Sequence, residues 1–188
     1  MTRRSTGFPA ADAQDDFLRE RRRHLLARMG QRLRFAPADA GAALSYDRVV
    51  GSLGVVSEHA EGLQTIPLDA IVGSVDKSGD YDRQFRPRSD LLRERWQRIA
   101  VAQRRGESVP PIDVYRVGNM YFVKDGHHRV SVARALGKRT IDAYVTSVKT
   151  AMSNTPADDH QMPARPLDAV RRLPAQLRNR LRPPQRRR

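Results

Sequence analysis

Cysteine is absent from this chain of 188 residues. That excludes disulfides, thiolate metal sites and thiol nucleophiles together, and it suits a reducing compartment. Acid is in short supply: 21 Asp and Glu stand against 35 Lys and Arg, a formal net charge of +14. Polyanions are therefore the natural partners, whether nucleic acid, nucleotides or anionic lipid, because a summed positive potential attracts them whatever the fold. Long apolar runs are missing too. No stretch approaches the roughly 18 apolar residues of a membrane span, and the opening "MTRRSTGFPAADAQDD" lacks the apolar core of a signal peptide. The expectation is a cytoplasmic chain, able to associate with the nucleoid. With 39% hydrophobic residues and a mean hydropathy of -0.66, the chain can bury one modest core carrying polar extensions.

Residues 1–14 mix small residues, proline and charge without periodicity and read as a disordered lead. Residues 15–60 form a basic helical region. In "DDFLRERRRHLLARMGQRLRF", Leu18, Leu25, Leu26, Met29 and Leu33 fall along one helical side, which predicts a helix packed on the domain through those residues with its arginines in water. Arg21, Arg22 and Arg23 are its candidate nucleic-acid contacts. A short helical pattern follows around Leu44, Val49, Val50 and Leu53, and His59 stands alone beside Glu58 and Glu61.

The organised part spans residues 61–149. "LQTIPLDAIVGSV" predicts a strand interrupted at Pro67, at an edge or a bend. A charged loop comes next, and Ser89 is placed to cap a helix through "DLLRERWQRIAVAQRR" that Gly106 ends. The single tryptophan, Trp96, is in register with Leu92 and Ile99, so it reads as a core anchor. "ESVPPIDVYRV", "GN" and "MYFV" predict a hairpin; "HHRVSVARALG" is a helix stopped by Gly137, and "TIDAYVTSV" is the closing strand. Residues 150–188 are rich in Pro and Arg. They read as a mostly disordered tail with a short helix around Leu167 to Leu181, and Arg186, Arg187 and Arg188 are further candidate nucleic-acid contacts.

The stretch "YFVKDGHHRVSVARALG" carries the chemistry. Asp125 and Gly126 stand where a strand turns sharply into a helix, and a glycine there permits close backbone approach. The exposed amides of a first helical turn attract anions, and His127, His128 and Arg129 add further donors. The competing reading makes Asp125 an ordinary cap with solvated neighbours. Adjacent helical residues point about 100° apart, so His127 and His128 are poorly placed to share a metal ion. Ser131 lies one turn beyond His127 but has no oxyanion hole of the usual kind.

From "TIPLDAIV" through "VPPIDVYRVGNMYFVKDGHHRVSVARALGKRTIDAYV", residues 63 to 148, the chain resembles the ParB N-terminal and sulfiredoxin superfamily. The resemblance implies a compact α+β domain, a mixed sheet with packed helices, whose glycine turn and following helix hold nucleotide phosphates: CTP in partition proteins, ATP in sulfiredoxins, ADP or ATP in free serine kinases, with Mg2+ as the accompanying ion. The departures matter. Partition proteins usually read "GERR" with another arginine two residues on, whereas this chain has Gly126, His127, His128, Arg129, Val130 and Ser131. The arginines associated with CTP are thus reduced, and no helix-turn-helix region is recognisable after residue 150. Sulfiredoxins carry their catalytic cysteine where His127 stands, which excludes that activity; His128 and Arg129 match the remainder of the motif.

The expectation is a nucleotide-phosphate-binding module, through Gly126, His127, His128 and Arg129, with basic ends engaging DNA or RNA in a partition-like or regulatory role. Two enzyme alternatives use the same fold. A small-molecule kinase would take Asp76 or Asp125 as its carboxylate, and a metal-dependent nuclease would need Asp125, His127 and His128 as ligands.

Overall fold

The computed structural model describes residues 6–33, 43–75 and 79–151. Its elements in chain order are α1 (Pro9–Leu33), β1 (Leu44–Ser45), α2 (Tyr46–Leu53), β2 (Val55–Pro67), β3 (Ile71–Ser74), α3 (Arg93–Arg104), β4 (Ile112–Val117), β5 (Met120–Asp125), α4 (His127–Ala135) and β6 (Thr140–Thr150). Single 3-10 turns at Leu68–Ala70 and Asp90–Leu92 join β2 to β3 and lead into α3.

The alternating apolar residues of "IDVYRV" and "MYFVKD" make the β4/β5 hairpin, turned at Gly118 and Asn119. It sits near the middle of a six-stranded sheet of order β1-β3-β5-β4-β6-β2. Parallel pairs (β1/β3, β3/β5, β4/β6) and antiparallel pairs (β4/β5, β2/β6) are mixed, so the fold is α+β. Pro67 ends the edge strand β2, where its missing N–H costs no ladder bond. The edge strand begins at Val55, earlier than the periodicity suggests.

One face of the sheet is covered by α4, whose Val130 and Ala133 pack with Ile66, Ile112, Val114, Val123 and Ala143. On its other side α4 meets α3 and α1 through Val132, Ala135, Trp96, Ala100 and Phe17. With both faces buried, α4 is the best-held helix of the domain. Trp96 is fully buried, donates its indole N–H to Ser131 Oγ at 2.8 Å and meets Phe17 edge-on. The second sheet face is covered by α2 through Tyr46 and Val49.

Helix α1 corrects two expectations. It starts at Pro9, inside the stretch read as a disordered lead, and Asp12 and Ala13 are already buried. Its orientation is also the reverse of the one its leucines suggest. Leu18, Leu25, Leu26 and Met29 face outward, while Asp12, Asp16, Glu20 and His24, spaced four apart, are buried with Ala13 and Phe17. The reason is electrostatic: the inner carboxylates meet arginines of other elements. Arg104 at the end of α3 pairs with Asp12 and Asp16, and Arg86 lies 3.6 Å from Glu20. Buried acids are tolerated when each finds a guanidinium. Among the described residues, no helix is long and apolar enough to cross a membrane.

Candidate functional site

Strands β3 and β5 are parallel neighbours, so Ser74 and Asp125 reach the same edge of the sheet, the edge at which α4 begins. Carboxyl ends of parallel strands beside a helix amino terminus are where open sheets of this kind receive ligands. Gly126 makes the turn, with φ 102°. Its lack of a side chain is required by the protein itself: a Cβ there would stand 2.4 Å from Ile112 Cγ2 and 3.1 Å from Arg129 Nε. The close approach expected of an anion is therefore made by β4, and Gly126 is buried. Gly126, at the N-cap position, has no side chain with which to cap α4. Asp125, the expected cap, turns instead to Arg129.

Arg129 is held from two sides. Its Nη1 donates to the carbonyls of Pro110 and Pro111, and its Nη2 pairs with the exposed Asp125 carboxylate. The two prolines before β4 thus serve as an anchor for this guanidinium, because carbonyls of a rigid proline pair are fixed acceptors.

His127 does not face solvent. It is buried, shares a 2.6 Å hydrogen bond between Nε2 and Ser74 Oγ, and lies roughly parallel to the rings of Tyr81 and Phe85 at 6.1 and 6.4 Å. It ties α4 to β3 and to the loop after β3. His128, half-buried, meets Tyr81 edge-on at 5.9 Å.

The loop carrying Tyr81 and Phe85 is the part of the site that local motifs do not reveal. Phe85 has φ 57°, a left-handed backbone costly for a bulky residue, and its burial under the Arg134 guanidinium offsets that cost. Arg134 also donates to Leu68 O at 2.6 Å and Ile71 O at 2.8 Å; burial lowers its pKa to about 10. Asp82 Oδ1 accepts from the amides of Gln84 and Arg86, both at 2.9 Å, and its Oδ2 faces His24 Nδ1 at 3.1 Å. Burial lowers the His24 pKa, outweighing the attraction of Asp82, so a neutral ring donates to that carboxylate. Arg21 completes the clamp by donating to Arg88 O at 2.6 Å and to Asp90. Helix α1 therefore holds the loop, and the loop packs on His127 and His128.

Several expected contacts are placed differently by these bonds. Arg21 is engaged by the loop, Arg23 pairs with Glu20, and Arg22 is exposed. Ser131 is buried on Trp96 and unavailable as a nucleophile. Among the described residues, no three His, Asp or Glu side chains gather as a metal ion would need, so the nuclease reading finds no donor set there. Asp76, Arg186, Arg187, Arg188 and the helix expected around Leu167 to Leu181 lie outside the described residues.

Among solved structures, sulfiredoxin from Arabidopsis thaliana is similar at 22% identity, covering 44% of this chain and 82% of that one with a TM-score of 0.33. No curated protein matches the chain. The family model of the ParB N-terminal domain matches residues 55–155, more than half of the chain, from the edge strand β2 across the Gly126 turn to beyond β6. The order of strand, charged loop, helix, hairpin and glycine turn legible in the sequence is the order that this model spans, and the chain belongs to the ParB N-terminal domain family.

Proposed function

We propose that the amino terminus of α4 binds the phosphates of a nucleotide and that the protein acts in a DNA-associated role, as a binding module. One observation carries this reading: beside the start of α4, Arg129 is fixed by two carbonyls and presents its remaining edge to a carboxylate that is itself exposed. Asp125 occupies the position of an anion. An incoming phosphate takes that place, receiving Nη2 of Arg129 together with amides of the first turn of α4, and His128 stands next to it. His127 supports the seat from below through Ser74, Tyr81 and Phe85. Membership of the ParB N-terminal domain family and the net charge of +14 support the nucleic-acid side of the reading. Mg2+, where it accompanies the nucleotide, would neutralise phosphate charge.

Thermal denaturation against CTP, ATP, ADP and GTP, each with and without magnesium, tests it. A ligand bound only by the folded chain stabilises it, by about 2.7 kcal/mol at a hundredfold excess over Kd. At least one nucleotide is expected to raise Tm, more strongly in Asp125→Asn, which removes the competing carboxylate, and not in Arg129→Gln. No shift with any nucleotide, or a shift untouched in Arg129→Gln, defeats the proposal.

A further inference from the structure

The outward face of α1 is the least explained surface of the molecule. Phe8, Leu18, Leu25, Leu26 and Met29 are 72%, 45%, 48%, 60% and 62% exposed, five of the ten large apolar residues left in water among the described residues. The order along that face is regular. Phe8, Asp15, Arg22 and Met29 recur every seven residues, and Ala11, Leu18 and Leu25 form a second such series between them. Together they are the spacing of a helix–helix seam, about 30 Å long at the helical rise. Phe8 belongs to it because its carbonyl already accepts the Asp12 amide at 3.0 Å.

We propose that two copies of this chain associate through the outer faces of α1, antiparallel, about a twofold axis beside Leu18. The seam is complementary to its own reverse. Placed head to tail about Leu18, Phe8 of one copy lies by Met29 of the other, Ala11 by Leu25 and Leu26, and Asp15 by Arg22, with the two Leu18 side chains meeting at the axis. The two polar residues of the seam have opposite charge and fall opposite each other twice in this register, as an isologous interface requires. Within the described chain neither makes an ion pair, whereas Arg19 and Arg23, on the flank, are paired with Asp16 and Glu20. Asp15 is the one acid on the outward face, Asp12, Asp16 and Glu20 being buried, so an antiparallel pairing sets Asp15 against Arg22 whereas a parallel one in register would set Asp15 against Asp15 and Arg22 against Arg22. Shifting the register by one heptad would put Arg22 against Arg22, which selects this arrangement over that one.

The test uses the full chain in sedimentation equilibrium. A dimer is expected whose dissociation constant rises about tenfold or more in Asp15→Arg and in Arg22→Asp, and returns toward the parent value in the double variant. Leu18→Glu is expected to be monomeric. All three positions are exposed, so circular dichroism of each variant should match the parent. Because the chain has no cysteine, Leu18→Cys should form one covalent dimer on mild oxidation, whereas Leu91→Cys, on an exposed site away from α1, should not at the same concentration. A monomer at all concentrations, a dimer indifferent to Leu18→Glu, or a double variant no better than the singles overturns the proposal. So does a monomer that sediments with phosphatidylglycerol vesicles through Leu18, which would give this face to an anionic membrane.

Discussion

Replacing Gly118 by alanine puts a Cβ into open space, so the only obstacle is the left-handed backbone, φ 58°, of the β4/β5 turn. That costs about 1 kcal/mol. At Gly126 the backbone is also left-handed, but the added carbon meets Ile112 in the packed body of β4, and overpacking adds about 1–3 kcal/mol. Gly126→Ala is therefore expected to lose about 3 kcal/mol and Gly118→Ala about 1 kcal/mol in denaturant unfolding. Equal losses would show that Ile112 does not restrain the turn. The motif containing Gly126 was legible because its residues are adjacent in sequence, and the expected need for glycine there is met. What approaches the glycine was not legible, since Ile112 lies on a different strand. The same distance hid His127: its partners Ser74, Tyr81 and Phe85 lie some forty to fifty residues upstream, and nothing in "DGHHR" says that one histidine goes in while the next stays at the surface.

At the scale of elements, periodicity located α3, the hairpin, α4 and β6, but it misjudged the orientation of α1, left the first half of β2 in the region expected to be helical and ran β2 and β3, which are not neighbours in the sheet, together as one interrupted strand. Helix α3, the hairpin and α4 bury apolar residues that their spacing selects, Trp96, Ile112, Val114, Val117, Val130 and Ala133 among them. Helix α1 has two stripes, one of leucines and one of acids, and a pattern of apolar residues cannot tell which is inward when the acids have guanidinium partners on α3 and in the loop before it. Arg104 decides it. With Arg104→Leu, the Asp12 and Asp16 carboxylates lose the one guanidinium that they share, Asp16 keeping Arg19 and Asp12 keeping Thr6, and removal of a partner from such a buried group costs about 3 kcal/mol. The variant is expected to unfold at correspondingly lower denaturant concentration. Adding Asp12→Asn and Asp16→Asn should recover most of the loss, because amides need no counter-charge. If Arg104→Leu leaves the midpoint unchanged, the acids are not what turns this face of α1 inward.

For the whole molecule, charge is distributed rather than gathered at the site. Residues 152–188 hold nine arginines against three aspartates, six of the fourteen net charges, and the arginines of α1 are divided between structural work and solvent. If the DNA-associated role uses phosphate contacts by the chain end, binding to duplex DNA must weaken as salt rises, with a logarithmic slope of about 0.9 for each phosphate neutralised. Replacing Arg186, Arg187 and Arg188 together by Gln should flatten that slope by about 2–3, leaving thermal stability and any nucleotide-induced shift in Tm unchanged. Arg22→Gln with Arg23→Gln should flatten it by less, since Arg23 already pairs with Glu20. Arg21 is excluded from the comparison because it holds the loop at Arg88 and Asp90, so its loss would disturb the fold as well as the charge. An unchanged slope in the triple variant would mean that the terminal arginines do not touch DNA, and the basic balance of the chain would then need its explanation at the α1 face or at the nucleotide seat.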